Sequence, residues 1–243
     1  MKKEIGKKIY LPEIVRQDGG LSLESLPNDC NTIYICITGQ DGSGKTTLRD
    51  NIAKYLAMQG KMVITAKSPC DKHTVNLLNN AISQGEHEDW YTEQLLFSFM
   101  DGLISNYMIQ LNGRCDYFVC QRGPIDQYAH GVTRSGKTYS EIYKIQRPER
   151  LAKFDVYIHL NCEAKVAWER ICEDEGKDRY EYTEYFERQV PNTKRLYENI
   201  VNGSQEELNF LRDSKHFYID TTHLTTENTK NKVFDLLKRE KIF

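Results

Sequence analysis

A nine-residue segment near the start of the chain has the residue types and spacing needed to hold phosphate groups. Its glycines let the backbone curl tightly and turn N–H groups toward an anion. In the pattern Gly-x-x-x-x-Gly-Lys-Thr, the lysine reaches the β- and γ-phosphates of a nucleoside triphosphate and the next hydroxyl binds Mg²⁺. Lys45 and Thr46 take these two places, so the segment predicts a site for ATP and Mg²⁺. The predicted ATP-binding segment comprises Gly39, Gln40, Asp41, Gly42, Ser43, Gly44, Lys45, Thr46 and Thr47.

The sequence on either side of this segment supports the same interpretation. A short run of apolar and β-branched residues at 32–38 precedes it, as expected of a strand buried on both faces. A helical period follows, with Leu48, Ile52 and Leu56 on one face. Strand, loop and helix in this order form the context in which the motif binds phosphate, which argues against a glycine-rich turn without a ligand.

Further periodic segments indicate the fold class. Short apolar runs predict strands at 62–66, 117–120, 156–160 and 217–219, and helical periods lie between them, including a long one at 92–111. Strands that alternate with helices favour a parallel sheet covered by helices on both faces. We therefore predict an α/β fold, a three-layer α/β/α sandwich with a parallel sheet of about five strands.

Composition sets limits on partners and compartment. The 243 residues are 39% hydrophobic and 28% charged, which describes a globular chain able to bury a core. The formal charge of −2 gives no overall attraction to DNA or anionic lipid, and no apolar run approaches membrane-spanning length. Seven cysteines without a Cys-x-x-Cys pair favour the reducing cytoplasm. Residues 1–30 are predicted to be an N-terminal extension, and residues 31–243 a single domain.

Beyond the loop, several segments resemble thymidylate kinase and its relatives, the nucleoside monophosphate kinases that convert deoxythymidylate to its diphosphate. The resemblance keeps the same order from about Thr32 to the C-terminus. It implies an ATP- and Mg²⁺-dependent phosphotransferase with a P-loop kinase fold and a helical lid over about residues 170–182. The segments that carry it are Asp41–Thr47, Lys67–Pro69, Leu95–Ser98, Gln121–Arg122, Ala167–Ile171 and Asp178–Glu181.

The resemblance also implies roles for single residues. In this family the aspartate of the loop faces the acceptor sugar, a phenylalanine stacks on the acceptor base, and an arginine after the third strand bridges donor and acceptor phosphates. A basic residue after the second strand touches the acceptor phosphate, and cations of the lid close over ATP, which excludes water. The implied acceptor-binding residues are Asp41, Lys67, Phe97, Asp101 and Arg122; the implied lid cations at ATP are Arg170, Lys177 and Arg179.

Three positions depart from the family pattern and leave the acceptor open. Asp101 stands where the family has a thymine-contacting arginine, and a carboxylate reverses the hydrogen-bonding polarity of that position. Gln121 replaces an acidic residue near Mg²⁺, and it brings an amide without charge. Asp174 stands in the lid where a basic residue is frequent. Deoxythymidylate itself is therefore not the acceptor that the sequence favours by default.

The first of three functional hypotheses is a kinase of a nucleoside monophosphate or a closely related nucleotide, with Lys45 and Arg122 as catalytic cations. In the second, the acceptor is a hydroxyl group of a nucleoside or a modified base, which could lie in DNA. Asp126 would then be the general base, although an aspartate at a helix start also serves as a cap. The third hypothesis is a regulatory or defence module that binds or slowly hydrolyses ATP. Relatives in the family are commonly dimers, which suggests a homodimer here.

Overall fold

The computed structural model describes residues 8–10, 23, 26, 31–68, 70, 76, 90–172 and 183–243. In these residues a single six-stranded sheet has the order β1-β3-β4-β2-β5-β6, and every neighbouring pair is parallel. The strands are β1 (Lys8–Tyr10), β2 (Ile33–Gly39), β3 (Val63–Lys67), β4 (Tyr117–Gln121), β5 (Val156–Asn161) and β6 (Lys215–Asp220).

From β2 onward, helices connect the consecutive strands and cover the sheet. Two short 3₁₀ segments, Pro148–Arg150 and Glu206–Leu211, complete the described elements. The helices are α1 (Lys45–Met58), α2 (Trp90–Leu111), α3 (Pro124–Ser135), α4 (Tyr139–Gln146), α5 (Ala164–Cys172), α6 (Thr183–Asn202) and α7 (Thr226–Arg239).

The alternation of side chains along β4 shows how the sheet builds two cores. Phe118 packs into a cluster with residues of α2, α3 and α6, whereas Val119 packs into a second cluster with residues of α1 and α7. Successive side chains of a strand point to opposite faces, so the two neighbours enter different clusters. This arrangement confirms the predicted α/β/α sandwich.

The sheet has one strand more than the sequence predicts. Strand β1 comes from the N-terminal segment and pairs with β3, with Lys8 opposite Val63 and Tyr10 opposite Thr65. A run of three residues, one of them charged, shows no strand periodicity, and the pairing depends on a tertiary contact. Lys8 also donates to Asp50 of α1 at 3.0 Å, which fastens the edge strand to the helix that follows the loop.

Helix α6 contains Pro191 in its interior yet runs as one helix over Thr183–Asn202. The sequence predicts a bend or a restart at this proline, because proline removes one backbone hydrogen bond. Among the residues that the structure describes, no helix combines the length and apolarity that crossing a membrane would take.

A chain of buried hydrogen bonds links three strands beneath the phosphate loop. His216 Nε2 lies 2.8 Å from the carbonyl oxygen of Leu211, which can only accept, so this nitrogen carries the proton. His216 Nδ1 then accepts from His159 Nε2 at 2.9 Å, and His159 Nδ1 accepts from the hydroxyl of Thr38 at 3.1 Å. Burial lowers the pKa of both histidines, so both are neutral in the folded chain.

This chain predicts an effect of pH on stability. Replacement of His216 by Phe keeps an aromatic ring beside Tyr157 but leaves the His159 N–H without its acceptor. We therefore expect the free energy of unfolding at pH 7.5 to fall by about 1–3 kcal/mol. As the pH falls below the ordinary pKa of histidine, His216 takes up a proton in the unfolded chain more readily than in the folded chain, where its pKa is lowered. The wild type therefore loses stability as the pH falls. The difference in free energy of unfolding between the wild type and His216→Phe, measured by urea unfolding, should therefore become smaller as the pH falls from 7.5 to 5.5.

A matched control is His223→Gln, which changes an exposed histidine of the same chain. This change removes a histidine without breaking the buried chain of hydrogen bonds, so it serves as the reference for His216→Phe at each pH. If the difference in free energy of unfolding between the wild type and His216→Phe does not change with pH, the inference that His216 is neutral and buried in the folded chain is wrong.

Candidate functional site

The phosphate loop joins β2 to α1 at the carboxyl edge of the sheet, where ligands of open α/β sheets bind. Its first turns need glycine. Gly39 has a φ of +133°, and a Cβ there would lie 1.9 Å from the carbonyl oxygen of Leu160. At Gly42, with a φ of +75°, a Cβ would lie 2.4 Å from the carbonyl oxygen of Ala167. The loop lines a cavity of about 450 Å³ together with Arg170 and residues that lead into α7. The cavity also includes Asn51, Gln121, Thr221, Leu224, Thr225, Thr226, Thr229 and Lys230.

Lys45 begins α1 and is buried within the loop. Its ammonium group donates to the carbonyl oxygens of Gly39 at 2.7 Å and Gln40 at 2.8 Å, and to Asp41 Oδ1 at 3.0 Å. An ammonium group has three protons, so these contacts use all of them. The loop therefore holds its own cation at the place where phosphate oxygens would compete for it.

Arg122 meets the same carboxylate from the other side. It follows β4, and its Nη2 donates to Asp41 Oδ1 at 2.5 Å. Its backbone has a φ of +66°, a left-handed conformation that costs a non-glycine residue on the order of 1–3 kcal/mol. Burial favours protonation of Asp41, but Arg122 and Lys45 outweigh it and hold the pKa of this carboxyl well below its usual range. Two cations and one carboxylate thus meet at the edge of the loop.

Asp126 ties the loop to the start of α3. One carboxylate oxygen accepts the backbone N–H of Gly39 at 2.9 Å, and the other accepts the N–H of Gly123 at 3.0 Å. The contact with Gly123 caps the helix N-terminus from the third helical position, since the Asp126 side chain accepts the backbone N–H of the N-cap residue. Burial raises the pKa of Asp126 to about 6, although Lys45 and the two N–H groups act in the opposite direction. The side chain has the position of a cap and a pKa near that of a general base.

Thr46 and Gln121 provide oxygen atoms beside the phosphate loop. The Thr46 hydroxyl donates to Gln121 Oε1 at 2.9 Å, which leaves the lone pairs of the hydroxyl oxygen available. Oxygen ligands suit Mg²⁺, and Thr46 stands at the exposed rim of the cavity. These residues fit a magnesium ion held mainly by the hydroxyl and by phosphate oxygens.

On the predicted acceptor side, Phe97 belongs to a group of three rings whose other two members, His130 and Tyr185, the sequence did not indicate. His130 of α3 lies between Phe97 of α2, with ring centroids 6.5 Å apart, and Tyr185 of α6, at 5.9 Å. His130 Nδ1 is hydrogen-bonded to the Tyr185 hydroxyl. Burial lowers the pKa of His130 to about 3, so the ring is neutral near pH 7. The one available signal was its spacing, four residues after Asp126 on the same helix.

Lys67 and Asp101 occupy different surroundings on this side. Lys67 ends β3, and the charge of Arg122, followed by burial, lowers the pKa of its ammonium group. Asp101 is 3% exposed, and its Oδ1 has no hydrogen-bond partner. Burial and the nearby Asp126 raise the pKa of Asp101 well above its usual range. The structure therefore places Lys67 near Arg122, and Asp101 in the packed layer next to Asp126.

The predicted lid cations are described only in part. Arg170 of α5 donates to the carbonyl oxygen of Gly42 at 3.2 Å and to that of Thr221 at 2.9 Å, so it joins the phosphate loop to the segment after β6. Lys177 and Arg179 lie outside the described residues, as does most of the predicted lid. Of the three, the structure thus places Arg170 at the predicted ATP cavity.

Comparison with known proteins agrees with this geometry. The family model for thymidylate kinase matches residues 37–225, well over half of the chain. The chain is also similar in structure to a thymidylate kinase from Candida albicans, with a TM-score of 0.71 and 16% sequence identity over 87% of this chain and 93% of the other. No curated protein sequence matches the chain significantly. On the match of the family model, the chain belongs to the thymidylate kinase family, a family of ATP-dependent nucleotide kinases.

Proposed function

We propose that the protein transfers a phosphoryl group from ATP, with Mg²⁺, to a nucleoside monophosphate or a closely related nucleotide. The observation that carries this proposal is the meeting of Lys45 and Arg122 at Asp41, with Lys67 close to Arg122. Three cations within one small region suit two phosphate groups brought together. The proposed setting is the cytoplasm, and the proposed assembly is a homodimer.

The residues of the site would act mainly by positioning and by stabilising charge, as in other phosphoryl transfers. Lys45 and the N–H groups of the loop would hold the ATP phosphates. Arg122 would bridge donor and acceptor, because a planar guanidinium binds two phosphate oxygens at once. Thr46 would hold Mg²⁺, which neutralises charge on the phosphates when bound. Arg170 lines the ATP cavity and keeps the loop in place.

The base of the acceptor would lie near Phe97 and His130 and stack on the Phe97 ring, which is 8% exposed in the unliganded chain and would have to open one face to it. The Candida albicans enzyme is described as having broad substrate specificity. Asp101 is buried in the packed layer, so it would make no hydrogen bond that selects one base over another. We therefore propose that base selection in this chain is looser than a preference for thymine alone.

A hydroxyl acceptor is the second candidate, because a carboxyl with a pKa of about 6 suits a general base near neutral pH. Both oxygens of Asp126 already accept backbone N–H groups, however, and the residue is 3% exposed. A phosphate acceptor is ionised and needs no general base, which favours the first candidate. A nucleoside monophosphate therefore remains the acceptor that we propose.

A panel of acceptors tests the proposal directly. Purified protein with Mg²⁺ and ATP should phosphorylate at least one of the common ribo- or deoxyribonucleoside monophosphates, and Lys45→Met should abolish transfer because the phosphates lose their cation. The panel should also include nucleosides and single-stranded DNA. Transfer to a nucleoside or to DNA alone would support the hydroxyl candidate, and ATP consumption that no acceptor increases would refute both.

Asp126→Asn separates a cap from a general base. An amide oxygen replaces one acceptor, but the amide N–H₂ group faces the other backbone N–H, so we expect a loss of about 1–3 kcal/mol of stability. At a temperature where the variant is folded, kcat for the monophosphate acceptor should fall by less than about 10-fold. A loss on the order of 10² or more would indicate proton transfer by Asp126. Asp235→Asn, an exposed change on α7, is the matched control.

Gln121→Asp tests the magnesium ligands. A carboxylate beside Thr46 adds a negative charge where the hydroxyl now donates to an amide oxygen at 2.9 Å. We expect a lower Mg²⁺ concentration for half-maximal activity, by about 3-fold or more, because charged oxygen ligands bind the ion more tightly. Titration of Mg²⁺ at fixed ATP measures this effect. An unchanged titration curve would place the ion away from this residue.

A further inference from the structure

One carboxylate oxygen holds both cations on which the proposed reaction depends. Asp41 Oδ1 accepts from Lys45 Nζ at 3.0 Å and from Arg122 Nη2 at 2.5 Å. Lys45 belongs to the phosphate loop and faces the ATP cavity, whereas Arg122 follows β4 and lies close enough to Lys67 to lower its pKa. Asp41 therefore connects the donor half of the site to the acceptor half.

The two contacts of Asp41 depend on each other. When Lys45 moves to the phosphates of ATP, it gives up its contact with Asp41, and Arg122 then remains as the counter-ion of the carboxylate. If Arg122 has already been drawn to another phosphate, the release of Lys45 leaves Asp41 without either cation. Loss of the last partner of a partly buried charge costs more than loss of the first. The ease of releasing Lys45 should therefore vary with the position of Arg122.

We propose that Asp41 is a shared counter-ion that couples the donor and acceptor sites, so that any group drawing Arg122 away from Asp41 weakens binding of the donor phosphates. The inference rests on the proposed function, because it takes Lys45 as the ligand of the donor phosphates. Coupling between two binding sites is reciprocal, so donor phosphates weaken acceptor binding by the same factor.

A double-mutant cycle on ADP binding tests the coupling without an acceptor. The four proteins are the wild type, Asp41→Asn, Arg122→Gln and the double variant, with affinities measured by calorimetry. Asp41→Asn removes the charge that holds Lys45, so ADP should bind about 5-fold more tightly or better. Arg122→Gln leaves Lys45 as the partner of Asp41, so ADP should bind about 5-fold more weakly or worse. In the double variant the effect of Arg122→Gln should disappear.

The cycle separates coupling from a direct contact. If Arg122 touches ADP itself, Arg122→Gln weakens binding by the same factor with and without Asp41, and that additive result would overturn the inference. Asp50→Asn removes an equal charge from α1 without touching Lys45 and should leave ADP affinity unchanged. Thermal unfolding confirms that each variant is folded at the temperature of measurement. A wild type that binds no ADP would instead refute the proposed function, and the coupling with it.

Discussion

The phosphate loop keeps its shape because its backbone lies directly against the backbone of the neighbouring segments. The space for a Cβ at Gly39 is taken by the carbonyl oxygen of Leu160 at the end of β5, and that at Gly42 by the carbonyl oxygen of Ala167 in α5. The Gly39 N–H is also fixed, by Asp126. These contacts set the loop before any ligand arrives, so little ordering is needed when phosphates bind. The rest of the site is arranged around this fixed loop.

This arrangement requires a buried carboxylate, that of Asp126, beneath the phosphate loop. Asp126 accepts two backbone N–H groups, yet burial still raises its pKa to about 6. Asp41 shows the opposite balance, because Lys45 and Arg122 keep its pKa well below the usual range. Lys45 and Arg122 lower the pKa of both carboxyls, but they contact Asp41 directly, whereas Asp126 contacts two backbone N–H groups. The environment of Asp126 suits a structural carboxylate, and that of Asp41 suits a counter-ion whose cations can leave it for phosphates.

The sequence predicts those parts of the molecule that repeat a local pattern. Strand β2 was predicted at 32–38 and forms at Ile33–Gly39, and the P-loop motif lies between a buried strand and a helix as expected. Strand β1 and the ring stack around His130 could not be predicted in this way, because both depend on pairing between distant segments. The sequence also could not tell that one oxygen of Asp41 serves two cations. Such contacts depend on tertiary packing, and the periodicity of hydrophobic residues along the sequence does not indicate which distant segments pack together.

The departures from the family pattern change the balance of charge around the loop. Gln121 removes a negative charge beside Thr46, and Asp101 lies buried next to Asp126, where burial and that neighbour raise its pKa. Lys45 and Arg122 contact Asp41, and Lys67 lies close to Arg122, so three cations surround one carboxylate where phosphates would meet. A cluster of cations of this kind would attract phosphate groups through its own charge. Asp41 is the element that keeps these cations in place until phosphates compete for them.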